Sequence, residues 1–83
     1  MHEVNKELLF MDKLKPGDSG IIAGYEGEQE LHYRLRELGL VRGTRIKIKR
    51  CAPLGDPMEI LLRGYSLSLR RQDASKILVE LKA

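Results

Sequence analysis

The sequence predicts a mainly β fold, a small barrel of about five strands with one α-helix inserted after the first strand. Three observations predict it: short segments alternate apolar and polar residues, tight-turn residues separate them, and a single segment has helical spacing. The 83 residues suffice for one domain with a modest core. Closure of short strands into a barrel removes most unpaired strand edges.

The first half of the chain supplies the turn, the first predicted strand and the helix. Residues 15–18 read Lys-Pro-Gly-Asp, the composition of a tight turn, and residues 19–25 follow as a strand. Residues 28–38 form the predicted helix, because Leu31, Leu35 and Leu38 recur at i, i+4 and i+7. Gly39 then ends the helix as a left-handed cap.

The second half changes to a period of two, which is typical of half-buried strands. Strands are predicted at residues 45–49, 58–63, 65–70 and 77–81, with a short helical turn at residues 71–75. The predicted core includes the following leucines: Leu35, Leu38, Leu67 and Leu69. An 83-residue chain with this order of elements fits an SH3-like barrel.

Residues 1–12 are interpreted as an N-terminal arm and residues 13–83 as the domain, with residues 8–11 of the arm packed on the barrel. Leu61 and Leu78 are out of phase with the inward residues of their own strands. Either the helix or the arm covers them, or they form an apolar patch that binds a partner, including a weakly associated second copy.

The inventory of reactive groups argues against an enzyme. Two histidines and one cysteine are widely separated, and no nucleophile, base and orienting group can be assembled from the sequence. The spacing of His2, His32 and Cys51 also predicts no dedicated metal site, because zinc and similar metals need closely spaced ligand pairs. Weak binding of a transition metal through His2 or Cys51 stays open, and no cofactor is predicted.

The apolar runs are short, and the one at residues 8–11 is far below the roughly 20 residues that span a bilayer. The first residues lack the layout of a secretory signal. We therefore expect a cytoplasmic protein without direct membrane insertion.

Positive charge is concentrated between Arg42 and Arg50, where five basic residues occur without an acidic one, although the net charge is only +3. Three interpretations remain: a solvated outer strand face, a surface that binds nucleic acid, or a surface that steers an acidic partner protein. Few aromatic residues accompany the charges, which makes nucleic acid the less favoured partner.

Four segments of the sequence, two in the front half of the family's pattern and two in its back half, resemble the FeoA family in the same order. The first pair is Leu-Lys-Pro-Gly-Asp-Ser-Gly at residues 14–20 and Arg-Leu-Arg-Glu-Leu-Gly-Leu-Val-Arg-Gly at residues 34–43. The second is Ala-Pro-Leu-Gly-Asp-Pro at residues 52–57 and the segment 64–74. Arg42 departs from the pattern, since the family often has proline there. The resemblance implies an SH3-like barrel and a cytoplasmic accessory role in ferrous iron uptake, acting on FeoB, a membrane permease with a cytoplasmic GTP-binding domain.

Candidate partner-binding residues come from these patterns. Arg34 and Arg70 lie in the motifs without being needed for packing, and Tyr25 lies near the start of the helix. The alternative for the two arginines is that each holds a neighbouring carbonyl or carboxylate. The complete predicted set is Tyr25, Arg34, Arg45, Lys47, Lys49, Leu61, Arg70 and Leu78.

Overall fold

The computed structural model describes residues 7–82. The strands are β1 (Leu8–Phe10), β2 (Ser19–Tyr25), β3 (Arg45–Cys51), β4 (Met58–Leu62), β5 (Tyr65–Leu69) and β6 (Ile77–Lys82). The helices are α1 (Gln29–Glu37) and the short α2 (Arg71–Ala74), and a 3₁₀ turn (Met11–Lys13) follows β1. In the described part of the chain the strands form one antiparallel sheet in the order β1-β6-β2-β3-β4-β5.

The mainly β prediction is confirmed, with two corrections to the count and order. Residues 7–82 contain six strands rather than about five, and α1 follows the second strand rather than the first. The additional strand is β1, in which Leu8 lies opposite Glu80 and Phe10 opposite Leu78. Three residues are too few for an alternating pattern, and their pairing partner lies at the other end of the sequence. The first six residues of the predicted arm lie outside the described residues, and its boundary at residue 12 stays a prediction.

The core is formed by the inward residues of the strands and by one face of α1. Residues of β3 alternate as predicted, with Ile46 and Ile48 buried between exposed neighbours. Leu35 and Leu69 are buried as predicted, and Leu67 is partly buried against the core. The remaining buried hydrophobic residues are Met11, Leu14, Ile22, Leu40, Met58, Ile60, Leu62, Ala74, Ile77 and Val79.

The assignment of Leu38 to the core is wrong, because its side chain is 39% exposed. The helix ends at Glu37, so the apolar stripe continues beyond the last helical residue. Gly39, with φ +94°, does adopt the predicted left-handed conformation. Its amide donates to the Arg36 carbonyl and the Leu40 amide donates to the Leu35 carbonyl, each at 3.0 Å, which is the Schellman pattern.

Arg63 was predicted as the last residue of a strand, and it lies instead in the turn between β4 and β5. Leu62 lies opposite Tyr65, which leaves Arg63 and Gly64 as a two-residue turn. Both have positive φ, 50° and 84°, as a type I′ turn requires. The Arg63 side chain lies at this end of the hairpin and contacts Thr44, the residue before β3.

Candidate partner-binding groove

The sheet carries an open groove on its outward face, with a volume of about 550 Å³. Lys47 of β3 lies opposite Leu61 of β4 and opposite Ser19 of β2, so the three side chains share one face. Leu61 is half-buried and Lys47 is exposed. The lining residues are Ser19, Arg45, Ile46, Lys47, Leu61, Leu62, Arg63 and Gly64.

Three positively charged side chains line the groove together with the apolar side chain of Leu61. Among residues 7–82, Arg45, Lys47 and Arg63 have no ion-pair partner. Arg63 is oriented by a hydrogen bond of 3.3 Å from its Nη2 to the Thr44 hydroxyl, and Thr44 is itself buried. An acidic segment with one apolar side chain would complement this arrangement of charge and shape.

The second half of the basic segment 42–50 differs from the first half because an acidic residue lies beside it. Glu59 of β4 forms ion pairs with Lys49 and Arg50. The Lys49 Nζ lies 3.8 Å from Oε2 of Glu59, and the Arg50 Nε lies 2.8 Å from Oε1. The single carboxylate of Glu59 therefore offsets part of the positive charge at the end of β3, whereas Arg45 and Lys47 at its start have no acidic partner among the described residues. Of the predicted residues, the structure brings Arg45, Lys47 and Leu61 into the groove and leaves Lys49 outside it.

The other predicted residues lie elsewhere. The Tyr25 hydroxyl donates to the Leu40 carbonyl at 2.5 Å, and the ring centroid lies 5.1 Å from that of His32. Burial raises the pKa of Tyr25 above its ordinary value of 10.0, an effect that the positive charges of Arg36 and Arg42 partly oppose. Tyr25 therefore remains a protonated donor at neutral pH.

Arg34 extends from α1 towards α2, where its Nη2 lies 3.6 Å from a carboxylate oxygen of Asp73. Arg70 is the residue immediately before α2. It is exposed and forms no ion pair within the described residues. Leu78 on β6 lies opposite Phe10 of the arm and opposite Gly24 of β2, and it is half-buried.

The predicted set of site residues omits Arg63, Glu59 and Arg71. The signal for Arg63 was present, because a residue followed by glycine between two alternating strands is typical of a two-residue hairpin turn. Glu59 could be recognised only from the register of β3 against β4. The Arg71 side chain donates hydrogen bonds to the carbonyl groups of Gly55 and Asp12, and no local pattern predicts contacts over such distances in the sequence.

The described residues contain no group of three or more His, Cys, Asp or Glu side chains arranged to hold a metal ion. Within the same part of the chain, no helix combines the length and the apolar character needed to cross a membrane. The groove around Lys47 and Leu61 is charged and partly apolar.

The fold is that of a small SH3-like domain, and its sheet carries an open groove with positively charged side chains. Residues 11–81 match the family model of the FeoA domain. The chain belongs to the FeoA family.

Two relatives illustrate the match, and a further solved structure illustrates the fold. A Fe(2+) transport protein A/Fe(2+) transporter FeoB fusion protein of Porphyromonas gingivalis is 42% identical over 71 residues, which are 86% of this chain and 8% of the relative. The solution structure of a FeoA-like protein from Clostridium acetobutylicum has a TM-score of 0.86 at 36% identity and covers 96% of this chain and 92% of that one.

The crystal structure of Stenotrophomonas maltophilia FeoA in complex with zinc is described as a prokaryotic SH3 domain protein. It has a TM-score of 0.73 at 22% identity and covers 87% of this chain and 89% of that one. This similarity concerns the fold, and the predicted SH3-like architecture is confirmed.

Proposed function

We propose that this chain is a cytoplasmic, non-enzymatic accessory protein of ferrous iron transport that docks on a FeoB-type permease and modulates its assembly or GTP cycle. One observation carries the proposal: in the P. gingivalis relative, a segment 42% identical to this chain is part of the same polypeptide as FeoB. A covalent link keeps two units at a high effective concentration, as is useful for units that act together.

The groove around Lys47 and Leu61 is the docking surface we propose. Its three uncompensated cations favour an acidic segment of the transporter and would accelerate encounter, while Leu61 supplies apolar area for the bound state. We favour a protein over nucleic acid because no aromatic ring is among the residues that line the groove, and nucleic-acid surfaces on small β-barrels commonly stack bases on such rings.

The test is binding of the purified protein to the detergent-solubilised FeoB transporter of the same organism. Binding is measured with a GTP analogue, with GDP and without nucleotide. An Arg45→Gln, Lys47→Gln double variant removes two uncompensated charges. A Lys49→Gln, Arg50→Gln double variant is the matched control, since it removes from the same strand two charges that both pair with Glu59 and lie outside the groove. Each lowers the net charge from +3 to +1.

We expect the first variant to bind at least about tenfold more weakly and the control within about threefold of wild type. Binding of the wild type should also weaken with rising salt. The rate of GTP hydrolysis by FeoB, with and without the protein, reports modulation of the GTP cycle. Equal losses in both variants would show that only net charge matters and would remove the groove from the proposal. A wild type that binds in no nucleotide state would overturn docking itself.

A further inference from the structure

The loop between β3 and β4, residues 52–57, presents one leucine almost entirely to solvent. The Leu54 side chain is 96% exposed, against 49% for Leu8 and 39% for Leu38. A single exposed leucine is ordinary in a flexible loop. This loop is instead held in place by two sets of hydrogen bonds.

The first set closes the loop on itself. The Gly55 amide donates to the Ala52 carbonyl at 2.6 Å, and the Ala52 amide donates to the Pro57 carbonyl at 3.0 Å. Leu54 is consequently the third residue of a β-turn whose second residue is Pro53. Because proline fixes its own φ, the backbone that carries Leu54 has little freedom before any partner binds.

The second set comes from Arg71 at the start of α2. Its Nε donates to the Gly55 carbonyl at 2.8 Å, and its backbone amide donates to Oδ1 of Asp56 at 2.9 Å. The same guanidinium also donates to the Asp12 carbonyl and lies 3.8 Å from the sulfur of Cys51. One half-buried arginine thus joins the loop to the 3₁₀ turn and to α2.

We propose that Leu54 is a preformed apolar anchor that inserts into an apolar pocket of the FeoB-type transporter, and that Arg71 is the positioning residue that holds it. The identity of the partner rests on the proposed function. A fixed loop loses little backbone entropy when a partner buries its side chain, which is the situation in which one residue contributes most to affinity.

Two considerations favour the transporter over a second copy as the occupant. The P. gingivalis relative places a similar unit and FeoB in one chain, so that a transporter surface is always adjacent there. Two copies of this chain would each carry a net charge of +3 and repel one another. Lys47 and Leu54 are seven residues apart, at most about 25 Å along an extended chain, so one partner of ordinary interface size can reach both.

The experiment measures the Kd of the intact protein for detergent-solubilised FeoB in the nucleotide state that binds best. Leu54→Ala removes the anchor, and Leu38→Ala is the matched control because it truncates another exposed leucine. We expect Leu54→Ala to raise the Kd about tenfold or more, and Leu38→Ala to leave it within about twofold. Leu54→Ala should leave the melting temperature unchanged, since its side chain contributes almost no buried area.

The positioning role is tested with Arg71→Lys, which keeps the charge but loses the forked donor geometry. We expect weaker binding when Leu54 is present and no additional loss in the Leu54→Ala background, provided that circular dichroism shows both variants folded. Additive losses would mean that Arg71 does not act through Leu54, and this part of the proposal would be overturned.

The remaining outcomes separate this inference from the proposed function. If the wild type binds and Leu54→Ala binds equally well, the anchor is overturned while docking through the groove stands. If the wild type binds FeoB in no nucleotide state, both are overturned. If sedimentation shows that Leu54→Ala abolishes self-association without changing transporter binding, the occupant is a second copy and the proposal is wrong.

Discussion

The hydroxyl group of Tyr65 donates a hydrogen bond of 2.5 Å to the Leu38 carbonyl, across 27 residues of sequence. This contact joins the first residue of β5 to the C-terminal end of α1, where carbonyl groups lack partners within the helix. The Tyr25 hydroxyl does the same for the Leu40 carbonyl two residues later. Two tyrosines thus hold the segment that leaves the helix.

Removing the hydroxyl of Tyr65 should destabilise the protein. We expect Tyr65→Phe to lower the free energy of unfolding by about 1 kcal/mol, because the Leu38 carbonyl loses its donor. Urea denaturation measures the change. Tyr33→Phe is the matched control, since Tyr33 is 63% exposed and its hydroxyl has no hydrogen-bond partner among the described residues. Equal effects of the two substitutions would contradict the role assigned to Tyr65.

Gly39 should tolerate alanine less well than Gly43. Both have positive φ, +94° and +91°, so alanine is strained by about 1–2 kcal/mol at either position. A Cβ at Gly39 would also lie 3.0 Å from the Tyr65 hydroxyl, whereas nothing lies within 4 Å of one at Gly43. Urea denaturation should therefore give a larger loss for Gly39→Ala, by about 1 kcal/mol.

The excess loss at Gly39 should disappear in a Tyr65→Phe background, because the hydroxyl that the new Cβ would meet is gone. The double variant measures this coupling directly. A gap between Gly39→Ala and Gly43→Ala that persists in that background would assign the difference to backbone conformation instead.

Gly20 should be the glycine in the sheet that is most sensitive to substitution. A Cβ there would lie 2.5 Å from the Glu80 carbonyl oxygen and 2.5 Å from a methyl group of Val79, so β2 and β6 would have to separate. We expect Gly20→Ala to cost about 3 kcal/mol or to prevent folding. Gly24→Ala, in the same strand, would meet its nearest atom at 3.7 Å, and its melting temperature should stay close to that of wild type. Similar melting temperatures for the two variants would refute this.

The stability of the protein should depend on Tyr25 at high pH. Burial raises the pKa of Tyr25 above 10.0, so the folded protein holds this proton more tightly than the unfolded chain does. The resulting stability is complete below about pH 10 and is lost as the pH rises through the raised pKa. The free energy of unfolding, measured from about pH 8 to about pH 11, should fall more steeply for wild type than for Tyr25→Phe. Parallel curves would exclude a contribution from this hydroxyl.

Local sequence patterns were sufficient to predict the features whose conformation depends on neighbouring residues. The strand Ser19–Tyr25 was predicted with its exact bounds, and the cap at Gly39 was predicted from the glycine that follows the leucine stripe. The alternation of β3 identified Ile46 and Ile48 as inward residues. Each of these features depends on interactions within a few positions of the chain.

The tertiary structure determined those features that depend on contacts between residues far apart in the sequence. The strand β1 exists because β6 pairs with it. The register of β3 and β4 brings Glu59 to Lys49 and Arg50 and leaves Arg45 and Lys47 without an acidic partner among the described residues. Arg71 fixes the loop of Leu54 across 15 and 16 residues. The sequence by itself determined the types of the elements from β2 to β6, because backbone preference and hydrophobic periodicity are local. Only the folded chain determined which charges remain unpaired and which leucine is presented to solvent, because these depend on distances between residues far apart in sequence.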